Sequence, residues 1–237
     1  ATLFRSEGER GVPCPSYVKR FDLSTLYLTV CFRCAPEIVE NVRWRAPDMV
    51  SFGNPPKGVI THHETWSLDQ IKDGDAVICR NNAPLFSLAV KLLAAGRSPE
   101  LYSGDIVPGL VKIMKKLGKL STPAAEALAA LVNWQEAEKS RSRSPGAVED
   151  KAACISIFLE RTKTLGDAIN AIERIAAMSG RIKLMTVHKS KGLEFDAVWL
   201  LDKHLMRPKG QDLNVRYVAE TRAKRTLNYV ESDKLST

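Results

Sequence analysis

The sequence predicts an α/β fold, in which a parallel sheet is flanked by helices and carries a small inserted helical subdomain. Short runs of apolar and β-branched residues, each bounded by turn residues, are typical of buried strands. Helical patterns separate most of these runs, as expected where crossover helices join parallel strands. Between residues 103 and 180 the composition shifts to Ala, Leu, Lys and Glu at helical spacing, which predicts an insertion made of helices.

The predicted elements follow the chain in an order that divides it into three parts. Pro36 begins a helix in its first turn, and Asn82 is predicted to cap a helix that ends before Gly96. Residues 1–22 form an irregular leading segment, residues 23–102 and 181–237 form the sheet domain, and residues 103–180 form the insertion. The predicted strands are 23–30, 58–62, 76–79, 182–187, 197–201 and 225–230, and the predicted helices are 36–44, 84–95, 106–117, 123–137, 147–162, 165–178 and 211–223. The segment 140–146 is predicted to be a charged linker or an exposed turn.

Composition favours an intracellular, nucleic-acid-binding protein. The net charge of +8 favours a polyanionic partner, although many basic proteins bind nothing acidic. Five cysteines without a charged-then-apolar leader indicate reduced thiols, so a cytoplasmic location is expected, in a bacterial or phage-like setting. No apolar run approaches the roughly 20 residues that cross a bilayer.

Cys31 and Cys34 form an isolated C-x-x-C pair. Zinc needs four ligands, and no second pair follows, so no metal site is predicted. The pair is predicted at the end of a strand and not at the opening of a helix, so a redox pair is not predicted either.

The polar turn between the strands 182–187 and 197–201 carries the groups that bind phosphates and sugar hydroxyls. Lys189 and Lys191 supply positive charge, Ser190 a hydroxyl and Glu194 a carboxylate, while Gly192 permits close approach of a ligand. The turn is expected at the end of a strand, where open α/β sheets place their ligands. An ordinary solvated strand–loop–strand remains the alternative.

Four segments, in family order, resemble conserved blocks of the UvrD/Rep-type superfamily 1 DNA helicases. The segment T-V-H-K-S-K-G-L-E-F-D at 186–196 resembles motif V, and R-Y-V-A-E-T-R-A-K at 216–224 resembles motif VI. The segment L-T-V-C-F-R-C-A-P-E-I at 28–38 resembles motif IV, and D-A-V-I-C-R-N-N-A-P-L at 75–85 resembles the block that follows it. The resemblance implies a RecA-like sheet.

The resemblance covers only the second of the family's two RecA-like halves. The first half carries the phosphate loop G-x-x-x-x-G-K-[ST], and the sequence contains no such match. The nearest segment, G-N-P-P-K-G at 53–58, is followed by valine, and its prolines lack the N–H donors that cradle phosphates. ATP and Mg²⁺ are therefore expected to be held mainly by an N-terminal half, and this chain alone is predicted to be inactive.

The resemblance assigns four residues to the nucleotide. Arg33 of motif IV and Arg222 of motif VI are the expected catalytic contacts to the γ-phosphate, for which a permanently charged guanidinium is suited. Glu194 is expected to accept a hydrogen bond from the ribose, and Gly192 to let the nucleotide approach. For either arginine alone, a surface salt bridge is the alternative.

Five further residues are assigned to single-stranded DNA by the resemblance. Thr186, His188 and Lys189 are expected to contact the DNA backbone or to link the DNA site to the nucleotide site. Arg80 and Asn82 belong to the block that lies near the path of the DNA strand in relatives. Trp66 or Trp199 could stack on a base, although Trp199 lies in an apolar run and is placed in the core. A run of lysines lies in and just after the predicted helix 106–117, at Lys112, Lys115, Lys116 and Lys119. They could bind a nucleic-acid backbone, but such a run is more often a solvated helix face.

The resulting prediction is the C-terminal half of an ATP-dependent DNA helicase, moving 3′ to 5′ like its relatives. One departure from the family is Glu220, which stands where leucine is usual. Its carboxylate could pair with Arg222, although residues two positions apart on a helix do not face each other. The rival interpretations are a non-catalytic nucleic-acid-binding or adaptor module and a structural remnant without a ligand.

Overall fold

The computed structural model describes residues 29–102 and 106–236. The predicted irregular segment 1–22, and the predicted strand 23–30 as far as residue 28, lie outside the described residues. Within the described residues, no helix combines the length and apolar character required to cross a bilayer.

The strands are all parallel and lie in two sheets. They are β1 (Val30–Cys31), β2 (Val50–Ser51), β3 (Val59–His62), β4 (Ala76–Cys79), β5 (Pro99–Leu101), β6 (Ile182–Thr186), β7 (Phe195–Leu201) and β8 (Ala223–Val230). The main sheet has the order β3-β8-β7-β4-β6-β5, and β1 pairs with β2 in a separate small sheet. The predicted parallel α/β architecture is confirmed.

The main sheet is buried on both faces, which explains why its central strands are apolar at consecutive positions. Successive side chains of a strand point to opposite faces. Val77 and Cys79 of β4 belong to one hydrophobic cluster, and Ala76 and Ile78 belong to another. A strand that must satisfy two cores cannot alternate with polar residues, and β4 is buried along its whole length.

Seven α-helices lie in the described part of the chain. They are α1 (Pro36–Asn41), α2 (Ala83–Ala94), α3 (Val107–Met114), α4 (Ala124–Arg141), α5 (Pro145–Leu159), α6 (Leu165–Ala176) and α7 (Gln211–Glu220). Helices α1 and α7 contribute Ile38, Val39 and Ala219 to the cluster on one face of the sheet. Helix α2 packs on the other face through Leu85, Phe86, Leu88, Ala89 and Leu92.

Helices α3–α6 are inserted between β5 and β6 and share one hydrophobic core with the sheet. Phe86 of α2 packs edge-on against Phe158 of α5, with ring centroids 5.7 Å apart. The chain returns to the sheet at Gly180, where an added Cβ would lie 2.3 Å from the carbonyl oxygen of Ser98. Glycine is therefore required for the close approach to β5. The division of the chain into a sheet domain and a separate insertion stays a prediction.

The structure decides two local predictions. Of the two alternatives for the segment 140–146, the exposed turn is correct and the linker is wrong, because α4 continues to Arg141 and α5 begins at Pro145, which leaves a turn at 142–144. Asn82 occupies the N-cap position of α2, but its side chain does not cap the helix. The carboxylate of Asp150 accepts hydrogen bonds from the backbone N–H groups of Asn82 and Ala83 instead, at 2.9–3.1 Å.

Candidate nucleotide and nucleic-acid sites

The residues singled out from the sequence lie at opposite edges of the main sheet. Thr186 ends β6, and Arg80 and Asn82 follow the end of β4, so this group lies at the carboxyl edge. Glu194 immediately precedes β7 and Arg222 immediately precedes β8, so these two lie at the amino edge. The expectation that the whole turn lies at the carboxyl ends of the strands is wrong for its second half.

Topology explains this division. Strands β6 and β7 both pair with β4 in the parallel sense, so the segment 187–194 must run back to the amino edge before β7 begins. Gly192 adopts φ +86° on this path, a conformation that glycine adopts without strain. An added Cβ there would meet no described atom within 4 Å, so backbone conformation and not crowding within the chain requires glycine. The segment joins the two edges directly.

Arg33, Glu194 and Arg222 converge at the amino edge from three separate stretches of sequence. The Arg33 Nη1 lies 3.9 Å from the Glu194 Oε2, within ion-pair range but too far for a hydrogen bond. Burial, and then the positive charge of Arg33, lower the pKa of Arg222, while Glu194 acts in the opposite direction. The predicted nucleotide ligands therefore share one electropositive site.

Backbone carbonyls hold the Arg222 guanidinium in place. Its Nε donates to the carbonyl oxygen of Val218 at 3.0 Å, and its Nη1 donates to that of Leu193 at 3.0 Å. Its Nη2 lies 3.3 Å from the Thr221 hydroxyl oxygen. Only 9% of the residue is exposed, so Arg222 is oriented before any ligand arrives.

Arg33 is less fully bonded than Arg222. Its Nε is the one buried side-chain nitrogen or oxygen in the described part of the chain that has no hydrogen-bond partner. About a third of its side chain remains accessible, at 31%. A buried N–H without an acceptor costs free energy, and the accessible part of the same guanidinium can bind an incoming anion.

Phe32, directly before Arg33, carries an exposed aromatic ring and was not among the residues singled out from the sequence. Its ring is 76% exposed and packs against Phe52 with centroids 4.4 Å apart. An aromatic ring held by one neighbour and open to solvent on the other side can stack on a nucleobase. Its position directly before Arg33 is the sequence feature from which Phe32 could have been singled out.

At the carboxyl edge, Arg80, Asp212 and His188 form a second cluster. The Arg80 Nε donates to the Asp212 Oδ1 at 3.3 Å. Partial burial of the His188 ring, followed by the charges of Arg80 and Lys191, lowers the pKa of His188. Asp212 partly offsets these charges and was not predicted. His188 and Lys189 are exposed at this edge.

Asn82 and Thr186 are held by the fold at the same edge. The Asn82 Nδ2 donates to the Asp150 Oδ2 at 3.0 Å, so the carboxylate that caps α2 also orients Asn82. Thr186 is 8% exposed, so little of its side chain is open to a ligand. Asp150 was missed because it lies in the inserted helices.

Neither tryptophan proposed for base stacking presents a free face. Trp199 is 4% exposed, which confirms its place in the core, and Trp66 is 2% exposed, so the stacking hypothesis for Trp66 is wrong. The two rings pack against each other with centroids 6.0 Å apart. By contrast, the lysines at 112, 115, 116 and 119 are all exposed, as a solvated face requires.

One group of potential metal ligands occurs among the described residues. Ligand atoms of Asp202, His204 and Glu231 lie within 4.8 Å of one another. The His204 Nδ1 and the Glu231 Oε2 are already hydrogen-bonded at 2.6 Å, and the Asp202 Oδ1 accepts from the Ser232 N–H at 2.7 Å. These contacts account for the arrangement without a cation.

The sequence profile of the UvrD-like helicase C-terminal domain matches residues 113–232, just over half of the chain. The chain belongs to this family. The matched span includes the motif V turn and the motif VI segment, whereas the segment 28–38 precedes it. The resemblance stated from the sequence is thereby confirmed.

Individual relatives of this UvrD-like domain are more distant. It is 28% identical to F-box DNA helicase 1 of Gallus gallus over 238 aligned positions, which cover 85% of the chain and 23% of that protein. The chain thus corresponds to about a quarter of the length of this relative. A solved structure, the C-terminal domain of a possible DNA helicase from Lactobacillus plantarum, matches with a TM-score of 0.38 at 14% identity, covering 87% of this chain and 91% of that one.

Glu220 departs from the usual leucine of the family and forms a buried polar network. It is fully buried and does not pair with Arg222. Its Oε1 accepts from the Arg216 Nε and from the Tyr229 hydroxyl, each at 2.8 Å, and its Oε2 accepts from the Trp44 Nε1 at 3.3 Å. The network fixes the end of α7, from which Arg222 emerges.

Proposed function

We propose that the chain is the C-terminal half of an ATP-dependent DNA helicase or translocase that moves 3′ to 5′. In this proposal the chain supplies γ-phosphate contacts and single-stranded DNA contacts, and an N-terminal half supplies the phosphate loop and the magnesium ligands. Membership of the UvrD-like family supports the general assignment. The division of labour follows from the absence of a phosphate loop in the 237 residues.

The convergence of Arg33, Glu194 and Arg222 carries this proposal. Two arginines lie beside one carboxylate at the amino edge, and one of the arginines has a buried Nε without an acceptor. Guanidinium groups bind phosphate oxygens through forked donors. A structural ion pair would satisfy Arg33, whereas a 3.9 Å separation leaves it open to a phosphate.

The remaining residues of the amino edge fit a nucleotide. Glu194 is exposed and can accept a hydrogen bond from a ribose hydroxyl. Gly192 is exposed nearby, with open space around its Cα. Phe32 offers an exposed ring beside Arg33 for the base. When bound, ATP-Mg²⁺ supplies the phosphoryl group that is transferred; this chain positions it and stabilises negative charge.

The carboxyl edge is the proposed path for single-stranded DNA. Arg80, Asn82, His188 and Lys189 supply cationic and hydrogen-bonding groups that bind phosphates without reading bases. Thr186 begins the segment that ends at Glu194, so one short stretch connects the two proposed sites. Movement of this segment would couple nucleotide state to DNA contacts.

A non-catalytic nucleic-acid-binding module is the alternative. It would retain the carboxyl-edge residues but would have no use for an unsatisfied arginine at the opposite edge. Salt titration of binding separates a binding protein from a structural remnant, because phosphate contacts give a steep dependence of affinity on salt.

Reconstitution tests the proposal. The chain alone should neither hydrolyse ATP nor unwind DNA. Mixing it with, or fusing it to, the N-terminal half of a UvrD-type helicase should give hydrolysis that single-stranded DNA stimulates. A reconstituted protein that binds DNA but shows no stimulated hydrolysis would favour the non-catalytic alternative.

A further inference from the structure

The C-x-x-C pair lies between a strand and a helix. Cys31 ends β1, and α1 begins at Pro36, two residues after Cys34. The expectation that the pair lies only along a strand end is therefore incomplete. The backbone of Cys31 is fixed, because its carbonyl accepts a 2.9 Å hydrogen bond from the Phe52 N–H of the neighbouring strand region.

The two thiols differ in exposure and in bonding. Cys31 is half-buried, and its Sγ accepts a hydrogen bond from the Cys34 N–H at 3.4 Å. Cys34 is 2% exposed, and its Sγ lies 3.7 Å from the carbonyl oxygen of Thr221. One sulfur can therefore be reached from solvent, while the other lies behind it.

We propose that Cys31 and Cys34 form a dithiol site that reacts with hydroperoxides, with Cys31 as the nucleophile and Cys34 as the resolving thiol. The Cys31 thiolate attacks the peroxide oxygen, which gives a sulfenic acid on Cys31 and releases hydroxide or alkoxide. The Cys34 sulfur then attacks the Cys31 sulfur, and the S–O bond breaks to give the disulfide and water. Two thiols are oxidised and one peroxide is reduced.

Electrostatics favour this order of events. A hydrogen bond from the Cys34 side chain, together with backbone N–H groups of Cys34 and Arg33 and the charge of Arg33, lowers the pKa of Cys31 to about 5. The hydrogen bond with Cys31 and burial raise the pKa of Cys34. Tyr217 also faces the pair, and burial, followed by the negative charge of the Cys31 thiolate, raises the pKa of Tyr217. Cys31 is then the thiolate at neutral pH, and Cys34 retains its proton.

The two cysteines lie beside the proposed nucleotide site, so their oxidation would change contacts of that site. The two cysteines bracket Arg33, and Cys34 contacts the backbone of Thr221, which precedes Arg222. A disulfide would remove the thiolate beside Arg33 and alter the contact to Thr221. Any effect on ATP turnover rests on the proposed function, whereas the thiol chemistry does not.

Alkylation and peroxide mapping of the full chain test the proposal. Cys14 lies outside the described residues, so the measurements use a Cys14→Ser background. The rate of alkylation of Cys31 by iodoacetamide should follow a titration with its midpoint near pH 5. Cys79, whose pKa burial raises to about 12, and Cys154, whose pKa burial also raises, serve as internal controls that should not react below pH 8.

Treatment with hydrogen peroxide should then join Cys31 to Cys34, seen by mass spectrometry as a peptide that lacks two hydrogens and recovers them with dithiothreitol. In Cys34→Ala the same treatment should leave a sulfenic acid on Cys31 that dimedone traps. A Cys31 midpoint above pH 8, or the absence of the linked peptide, would overturn the proposal. None of these measurements involves nucleotide, so their failure is distinct from failure of the proposed function.

Discussion

The Nη1 of Arg222 donates a 3.0 Å hydrogen bond to the backbone carbonyl of Leu193. This bond joins the end of α7 to the segment that approaches β7, one residue before Glu194. The two stretches are 29 residues apart in sequence, and β7 and β8 bring them together as neighbours. Arg222 therefore has a structural role as well as the proposed catalytic one, and the two roles can be separated experimentally.

Arg222→Ala should destabilise the protein, whereas Arg33→Ala should not. Loss of Arg222 leaves the carbonyl oxygen of Leu193 without its donor, which costs roughly 1–3 kcal/mol, whereas the carbonyl oxygen of Val218 keeps the Thr221 hydroxyl as a donor. Arg33 forms a 3.9 Å ion pair with an exposed carboxylate and lies beside the Cys31 thiol, so its removal should change stability by less than about 1 kcal/mol. Urea denaturation measures both. Equal losses in the two variants would contradict the assigned contacts.

Glu220→Ala should be among the most destabilising single substitutions. The change leaves Arg216, Tyr229 and Trp44 without their shared acceptor in a buried site. We expect a loss of up to about 3 kcal/mol, because removing one partner of a buried pair leaves the other charge uncompensated.

Thermal and urea denaturation of Glu220→Ala should be compared with those of Glu40→Ala. Glu40 is an exposed residue of α1 whose carboxylate pairs with Arg43. The control should lose less than about 1 kcal/mol. A Glu220 variant no less stable than the control would show that the network contributes little.

Asp150→Ala should weaken both α2 and DNA binding. The carboxylate accepts from the N–H groups of Asn82 and Ala83 and from the Asn82 amide, so its loss removes a helix cap at a cost of about 1–2 kcal/mol. Single-stranded DNA affinity should fall because Asn82 is no longer oriented. The neighbouring Glu149→Ala, which loses only an ion pair with Lys139, should preserve both properties. Unchanged DNA affinity in Asp150→Ala would argue against a role for Asn82.

DNA binding should strengthen as the pH falls, through His188. Desolvation, Arg80 and Lys191 hold the pKa of free His188 below its ordinary value, with Asp212 opposing them. A bound phosphate favours the charged imidazolium and raises the pKa of His188, so binding takes up a proton and affinity rises as the pH falls through the pKa of the bound imidazole.

The same residue has the opposite effect on folding. A depressed folded-state pKa means that the unfolded chain binds the proton more tightly, so stability falls as pH decreases through about 6.5. Fluorescence titration with labelled single-stranded DNA at fixed salt measures the binding effect, and His188→Gln should flatten it. An affinity that is independent of pH in the unsubstituted chain would remove His188 from the interface.

Local sequence signals predicted the strands and helices well where burial is continuous. The predicted strand 76–79 coincides with β4, because four consecutive apolar residues bounded by turn residues are typical of a short strand that is buried on both faces. The boundaries shifted where tertiary contacts decide them, as at α1, which ends at Asn41 and not at residue 44.

The sequence identified the residues that converge at the amino edge but not the edge of the sheet on which they lie. The motif residues Arg33, Glu194 and Arg222 do converge, yet the turn was expected wholly at the carboxyl ends of the strands, whereas a parallel sheet requires Glu194, directly before β7, to lie at the amino edge. Asp150 was missed because its contact with Asn82 spans 68 residues, and no local pattern reports such a contact. Glu220 was noticed as unusual, but its partners Trp44 and Tyr229 come from distant strands and turns.

The turnover number for DNA-stimulated ATP hydrolysis in the reconstituted protein tests the central claim most directly, with Arg33→Ala compared against Arg161→Ala. Arg161 is an exposed arginine on the helical insertion, paired with Glu160, and its removal should leave turnover unchanged. Loss of the γ-phosphate contact from Arg33 should lower turnover by roughly 10³-fold or more. Equal turnover in the two variants would contradict the assignment of Arg33 to the nucleotide.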